Sequence, residues 1–205
     1  MRNGDFENNK VFISGTVTGD VEMSFENYGE TFYRFLVAVR RKSGTEDHIP
    51  CLISERLYDP ALIQEGKKIK LSGQFRSYNH HADGKSHLLL HVYVKEIELQ
   101  EREEVDGCNQ IFLNGFLCKN PVYRRTPKGK EIADCLVAVN YACGKAAYIP
   151  CICWGFTARN TAFLPVGTNI EIEGRIQSRI YQKENETIER VAYEVSAFRL
   201  EECYA

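Results

Sequence analysis

Apolar and polar residues alternate along most of the chain, and this two-residue period is typical of β-strands that bury one face. Turn residues divide the alternating segments into five strands in each half of the chain. The predicted strands are 10–18, 31–41, 47–54, 67–78 and 86–99 in the first half, and 109–118, 130–141, 146–154, 168–181 and 187–200 in the second. A short helix is predicted between the third and fourth strands of each half, beginning at Asp59-Pro60 and stopping at Gly66 in the first and covering 156–164 in the second. The pattern therefore predicts an all-β protein.

The two halves of the chain are copies of one another. Residues 9–15 return as 109–115 at an offset of 100 positions, and the same offset relates 36–39 to 136–139 and Ile49-Pro50-Cys51 to Ile149-Pro150-Cys151. The offset becomes 101 where 66–73 matches 167–174, and 94–99 aligns with 195–200 at that same offset. A period near 100 residues indicates duplicated domains, because solenoid repeats are only ~20–50 residues long.

Five strands with one helix between the third and fourth is the element order of the OB-fold, a partly open Greek-key barrel that binds oligonucleotides on one face. We therefore predict two tandem OB-fold five-stranded Greek-key barrels, each with one short helix. The first domain is predicted at 1–100 and the second at 109–205. The polar, acidic segment 101–108 is predicted to be an exposed linker.

Two aromatic residues share one face of the predicted strand 146–154. Tyr148 and Trp154 have the same strand parity, and at ~3.3 Å per residue they lie about 20 Å apart. If these rings are exposed, they suit stacking on unpaired bases. The same two side chains also suit a buried core, and the pattern leaves both interpretations open.

Five segments of the second copy, taken in order, resemble a known pattern. They read NQIFLNG at 109–115, NPVYRRTPKG at 120–129, LVAVN at 136–140, IPCICWG at 149–155 and VGTNIEIEGRI at 166–176. In this order they resemble the bacterial single-stranded DNA-binding protein family, and the first copy is a weaker match that keeps the skeleton. The resemblance implies sequence-independent binding of single-stranded DNA in replication, recombination or repair, without catalysis and without a cofactor.

The resemblance also implies which side chains contact DNA. Aromatic side chains of the third strand and of the hairpin between the fourth and fifth strands stack on bases in that family, and here these are Tyr148, Trp154 and Tyr181. Nearby cations that could follow the phosphates are Arg124, Arg125, Lys128, Lys130, Arg175, Arg179 and Lys183. In the first copy His48 and Ser54 replace the two strand aromatics, and the candidates there are Arg40, Arg41, Lys42, Tyr78 and His80. We therefore expect tighter DNA contact in the second copy.

Charge, cysteine content and motifs limit the classes of function that the chain can have. The formal net charge is −2, so any nucleic-acid binding must depend on local patches of cations. The eight cysteines follow no secreted disulfide pattern, and no apolar run is long enough to span a membrane, so we expect a cytoplasmic protein. Cys151 and Cys153 share a strand face, but no second close pair completes a zinc site, and no catalytic motif is present. We expect no metal, no cofactor and no enzymatic activity.

Partners follow from the resemblance as well. Assemblies of that family usually contain four OB-folds, which implies a homodimer for a chain with two. Family members commonly end in an acidic tail that recruits other proteins, and because 200–205 does not read as such a tail, recruitment by that route is not expected. Two alternatives stay open: a protein-interaction module, such as a primosome-type adaptor with weak nucleic-acid binding, and RNA binding through the same surface.

Overall fold

A computed structural model describes residues 7–82, 85–100, 107–141, 144–182 and 189–203, with backbone alone at 80–82 and 85–87. The strands are β1 (Asn9–Asn27), β2 (Glu30–Arg40), β3 (Glu46–Ser54), β4 (Lys68–Ala82), β5 (Lys85–Gln100), β6 (Asn109–Leu117), β7 (Val122–Arg125), β8 (Glu131–Tyr141), β9 (Lys145–Trp154), β10 (Asn169–Gln182) and β11 (Glu189–Glu202). A 3-10 helix (Pro60–Leu62) follows β3, and an α-helix, α1 (Gly155–Thr161), follows β9.

Each half of the chain closes into its own barrel. In the first, β1 pairs with both β2 and β4, β2 pairs with β3, β5 pairs with β4, and a parallel β3–β5 pair completes the ring. In the second, β6, β8, β9, β11 and β10 are connected in the same way. The alternating apolar residues point into the barrels, as Val11, Ile13, Ile149 and Cys151 illustrate by their near-complete burial. The prediction of two tandem OB-fold barrels is confirmed.

The two copies differ in their first strand. The predicted strand 10–18 continues to Asn27 as β1, with two register shifts against β2. The second copy divides the same path into β6 and the short β7, and Pro121 lies in the gap. Proline has no N–H to donate to a ladder, so it interrupts pairing at this point, whereas Val21 in the first copy does not.

The helices are shorter than predicted. Asp59 is the predicted N-cap, and its side chain accepts a 3.0 Å hydrogen bond from the N–H of Ala61, but only one 3-10 turn follows. The α-helix of the second copy ends at Thr161, three residues before the predicted end at 164. Both helical segments lie between the third and fourth strands of their barrels.

The predicted alignment of the last strand is wrong by two residues. Val92 pairs with Cys51 in the first barrel, and Val195 pairs with Cys151 in the second, so these equivalent positions are 103 apart and not 101. The hairpin explains the difference, because His81 pairs with Ser86 whereas Gln182 pairs with Glu189. The β10–β11 hairpin is therefore two residues longer than its counterpart.

The barrels are joined side by side through β1 and β6, which pair antiparallel with Val11 opposite Ile111. The flanking contacts repeat on both sides of this pair. The N–H of Ser14 donates to the carbonyl of Cys108 at 2.9 Å, and the N–H of Asn114 donates to the carbonyl of Asn8 at 2.8 Å. The two barrels are thus related by an approximate two-fold axis through the β1–β6 pair.

The division of the chain into domains at 1–100 and 109–205 stays a prediction. Within the predicted linker, 101–106 lies outside the described residues, and Cys108 is anchored on β1, since its N–H donates to Ser14 Oγ at 2.7 Å.

Candidate nucleic-acid interface

A groove lined by positive charge runs along the second barrel and reaches the first. It consists of three adjoining cavities of about 450, 720 and 710 Å³. Its cations and rings are Arg40, Arg41, Lys42, Arg125, Lys130, Trp154, Arg159, Arg175, Arg179 and Phe198, and we call this surface the basic groove. Neighbouring cavities share lining residues, among them Arg41 and Arg175 at one boundary and Trp154 at the other, so the groove is continuous.

Trp154 lies near the middle of the basic groove, at the end of β9. Its indole Nε1–H donates to Ser196 Oγ on β11 at 3.1 Å, which fixes the ring by one edge. The side chain is nevertheless 38% exposed. Gly155 follows with a φ of 56°, a left-handed conformation that lets α1 begin immediately after the tryptophan. An indole held at one edge and open to solvent is suited to stacking on a base.

Arg175 on β10 lies beside the aromatic ring of Phe198 on β11. The guanidinium Cζ is 5.5 Å from the ring centroid, within the range of a cation–π contact. Burial, and then the charge of nearby Arg41, lowers the pKa of Arg175. Its buried Nε has no hydrogen-bond partner among the described residues. Its Nη2 donates to Gln177 Oε1 at 3.5 Å, so the unsatisfied donor of this guanidinium is Nε.

Arg41 comes from the first barrel but lies in the groove of the second. Its Nε donates to Asp47 Oδ2 at 2.6 Å and its Nη2 to Oδ1, and the hydrogen bond with this carboxylate raises the pKa of Arg41. Asp47 is fully buried, and its Oδ1 also accepts the N–H of Ser178 on β10 at 2.9 Å. One carboxylate therefore fixes the arginine of one barrel to a strand of the other. The sequence suggested the cations at 40–42 but assigned them to a site on the first copy.

Of the four cations predicted near the first hairpin of the second copy, two line the basic groove and two do not. Lys130 and Arg125 line the basic groove, and Arg125 Nη2 lies 3.7 Å from Glu131 Oε1. Arg124 is instead paired with Asp134, with Nε and Oδ2 2.7 Å apart. Lys128 is exposed in the turn that precedes β8 and does not line the groove.

Sequence reasoning missed Arg159 and Phe198. Arg159 is in the last turn of α1, and its Nε lies 3.5 Å from Glu131 Oε2. Arg159 lies on a helix, whereas the cations predicted from the sequence lie on strands and in hairpins. Phe198 was read as part of the fifth strand, although its outward parity was visible from the inward Val195 and Ala197 on β11.

The predicted aromatics Tyr78 and Tyr181 lie together in a different place. They line a cleft of about 630 Å³ between the two hairpins, which we call the apolar cleft. Its other lining side chains include Leu36, Pro50, Leu88, Leu89, Pro150, Val191 and Tyr193. Tyr78 packs edge-on against His91 with ring centroids 5.1 Å apart, and Arg179 Cζ lies 5.8 Å from the Tyr181 ring.

Tyr148 is exposed, which is one of the two interpretations that the sequence left open, but it does not line the basic groove. Its side chain is 46% exposed, and its N–H donates to Ser77 Oγ of the first barrel at 2.7 Å. Tyr148 therefore lies at the contact between the barrels, at the opposite end of β9 from Trp154. Of the remaining predicted residues, Lys183 lies outside the described residues, and His80 is described by its backbone alone.

The first barrel fills the surface that corresponds to the basic groove. By strand register Tyr93 corresponds to Ser196, and Ser54 corresponds to Trp154. The guanidinium of Arg76 lies 4.3 Å from the Tyr93 ring centroid and 4.8 Å from that of Tyr141, which belongs to the second barrel. Side chains of the protein itself therefore pack on the ring of Tyr93.

We also searched the part of the chain that the structure describes for a metal site and for a membrane-spanning helix. No cluster of three or more His, Cys, Asp or Glu side chains there has the geometry of a metal site. Cys151 and Cys153 are both buried, and burial raises the pKa of Cys151, which disfavours its thiolate, whereas a hydrogen bond with Cys135 lowers the pKa of Cys153. No described helix is long and apolar enough to cross a membrane.

Comparison with known proteins identifies the family of this chain. The model of the single-strand binding protein family matches residues 108–202, the segment that carries Trp154. Single-stranded DNA-binding protein B of Bacillus subtilis is 37% identical over 83 residues, which cover 37% of this chain and 74% of that protein. The chain belongs to the single-strand binding protein family.

One further relative and one solved structure match this chain. Single-stranded DNA-binding protein 2 of Listeria innocua is 37% identical over 81 residues, and the match spans about half of that protein, 51%. The crystal structure of the wild-type single-stranded DNA binding protein from Thermus aquaticus superimposes with a TM-score of 0.74 at 23% identity, covering 96% of this chain and 93% of that one. The fold of both barrels is thus found in a solved structure.

Proposed function

We propose that this protein binds single-stranded DNA without sequence preference, through the basic groove of its second barrel. The observation that carries the proposal is the partly exposed indole of Trp154 inside a groove lined by arginine and lysine. Every base has a flat face that can stack on an indole, and every nucleotide has a phosphate that a cation can bind. We propose no catalytic step, no cofactor and the cytoplasm as its compartment.

The distribution of charge supports this proposal despite the net charge of −2. Eight of the 26 Arg and Lys side chains line this one groove, so the local field there attracts a polyanion although the whole molecule does not. Replication, recombination and repair are the processes that expose unpaired DNA, and we propose that the protein acts there.

A second candidate function is that of a protein-interaction module. The apolar cleft favours it, because Leu36, Leu88 and Leu89 are partly exposed there beside the carboxylates of Asp20 and Glu22. A phosphate backbone gains nothing from such a rim, whereas an apolar peptide segment does.

We also propose that two chains associate into a homodimer with four barrels. The outer face of the continuous sheet β4-β1-β6-β10 exposes Phe12 and Phe116. Lys68 and Lys70 lie on the outward side of β4 at one end of this face, and Glu171 and Glu173 lie on β10 at the other. Two copies stacked face to face on this surface bury the rings of Phe12 and Phe116 between them.

Fluorescence titration with a dT oligonucleotide of several tens of nucleotides, at two salt concentrations, tests DNA binding. Trp154 is the single tryptophan, so quenching reports on the groove alone. We expect strong quenching and an affinity that falls as salt rises. Trp154→Ala should weaken binding of a labelled oligonucleotide about 5- to 150-fold, since stacking contributes ~1–3 kcal/mol per base.

Phe163→Ala is the matched control, because Phe163 is an exposed ring on the same barrel outside the groove. It should bind like the parent protein. A parallel titration with rU distinguishes RNA binding. Absence of binding to either strand at low salt would refute the proposal and favour the interaction module.

A further inference from the structure

The approximate two-fold axis creates two contacts between the barrels, and they are built from equivalent positions. At the first, the N–H of His48 donates to Ser178 Oγ at 3.1 Å, and at the second, the N–H of Tyr148 donates to Ser77 Oγ at 2.7 Å. We call them the Ser178 junction and the Ser77 junction. Their backbone geometry is alike, so differences in their side chains are informative.

The Ser178 junction is open and positively charged. It contains the guanidinium groups of Arg41 and Arg175, and the buried carboxylate of Asp47 is bonded to Arg41. Among the described residues Arg175 forms no ion pair with a carboxylate, and its Nε is buried without an acceptor. Two guanidinium groups and one carboxylate leave one positive charge to be matched by an external anion.

The Ser77 junction has lost each of these groups. Tyr141 is in the place of Arg41, Ala147 is in the place of Asp47, and Gln74 is in the place of Arg175. Arg76 fills the space between Tyr93 and Tyr141. The guanidinium at this junction is thus held between two rings and donates to Gln74 Oε1 at 3.0 Å, whereas the Ser178 junction keeps two guanidinium groups side by side in an open groove.

We infer that the Ser178 junction binds one backbone phosphate of the bound strand between Arg41 and Arg175, so that the strand crosses there from the second barrel to the first. The inference rests on the proposed function. A guanidinium presents a planar fork of donors that suits phosphate oxygens, and Phe198 supports the Arg175 fork from one side. Arg40 and Lys42 continue the basic lining beyond this point, on the first barrel.

Asp47 is a positioning residue in this arrangement. It contacts Arg41 with both oxygens and β10 with one of them, so the Arg41 fork points into the groove only while the barrels are docked. The phosphate site therefore requires both halves of the chain. The first barrel contributes a phosphate contact to the same strand that the second barrel stacks on Trp154.

The test compares Arg175→Ala, Arg41→Lys and Arg56→Ala in the full chain, with the dT oligonucleotide titrated over a range of salt. Arg175→Ala should bind about tenfold more weakly at low salt and lower the slope of log K against log salt by about 0.7, while the maximal quenching of Trp154 is unchanged. Arg41→Lys keeps a cation beside Asp47, so the protein stays folded, and it should weaken binding several-fold because the fork is lost. Arg56 is an exposed arginine beside Glu30 and outside the groove, so its removal should change neither quantity.

If Arg175→Ala and Arg41→Lys behave like Arg56→Ala while the parent protein shows salt-dependent quenching, the junction site is refuted and DNA binding stands. If the parent protein shows no quenching and no binding, both proposals fail together. A loss of quenching amplitude in Arg175→Ala would assign that arginine to holding the indole, and it would also overturn the phosphate assignment.

Discussion

The two barrels differ most at the residues that line their grooves. The indole of Trp154 in the second barrel is replaced by Ser54, which is buried and hydrogen-bonded to Glu30. The small Ser196 that supports the indole is replaced by Tyr93, whose ring packs against Phe32 at 6.0 Å and against Arg76. Each pair of exchanges keeps the barrel intact and changes what its surface can bind.

His91, on β5 in the apolar cleft, makes stability depend on pH. Burial, and then the charge of Arg76, lowers its pKa to about 4, so the folded protein keeps the ring neutral in a range where the unfolded chain binds a proton. The stability contributed by the neutral ring is fully present above pH ~6.5 and is lost as pH falls toward 4. His91→Phe keeps an aromatic contact with Tyr78 and should flatten this dependence, by at most about 3 kcal/mol at pH 4. Urea unfolding of both proteins at pH 7 and 4.5 measures it, and parallel losses of stability would contradict the assignment to His91.

At the scale of the strands, both barrels have a glycine at which the fourth and fifth strands come close together. Each barrel has a register shift in its fourth and fifth strands, at Gly73 in the first and at Gly174 in the second. A Cβ on Gly73 would lie 2.3 Å from the carbonyl oxygen of Tyr93, and one on Gly174 would lie 2.4 Å from that of Ser196. Glycine at these points lets the paired strand approach closely, and in the second barrel the approaching residue is the one that holds Trp154.

Gly174→Ala should therefore disturb both the fold and the site. The added methyl group displaces the backbone of Ser196, which costs about 1–3 kcal/mol of stability and shifts the emission of Trp154. Gly73→Ala meets the same obstacle in the first barrel and is the matched control, with a similar loss of stability and an unchanged emission spectrum. Thermal unfolding and tryptophan emission measure the two effects. An equal emission shift in both variants would show that the effect is not transmitted through Ser196.

The strands were predictable because alternation reports directly which face of a strand is buried, as Val11 and Ile13 or Ile149 and Cys151 show. Parity also placed Tyr148 and Trp154 on one face of their strand, but it left open whether that face is exposed or buried. The crossing of Arg41 to the other barrel did not, because it depends on how β1 and β6 pair, and no local pattern contains that register. The pairing of the two barrels also explains why Tyr148 and Trp154 have different surroundings. The first barrel covers one end of β9 and leaves the other end open.

At the scale of the whole molecule, the outer sheet face is the surface through which we propose that chains pair. Phe12→Glu places a charge on each copy at the centre of this face, where the side chain is 50% exposed in the single chain and the fold should tolerate it. Loss of two apolar contacts, about 1.5 kcal/mol each, should raise the dimer dissociation constant about a hundredfold. Sedimentation velocity over a range of concentration measures this change. Phe163→Glu, at an exposed ring elsewhere, is the control, and equal dissociation in both variants would exclude the face as the interface.

Because both barrels belong to one chain, the residues at the two junctions can differ. A pair of identical chains must present the same residue at both junctions, whereas one chain carries arginine at 41 and tyrosine at 141. A strand that lies in the groove meets the indole of Trp154 on one side of the Ser178 junction and the cations of the first barrel on the other. On the path that we propose, the 5′ and 3′ directions of the strand are therefore not equivalent on this surface.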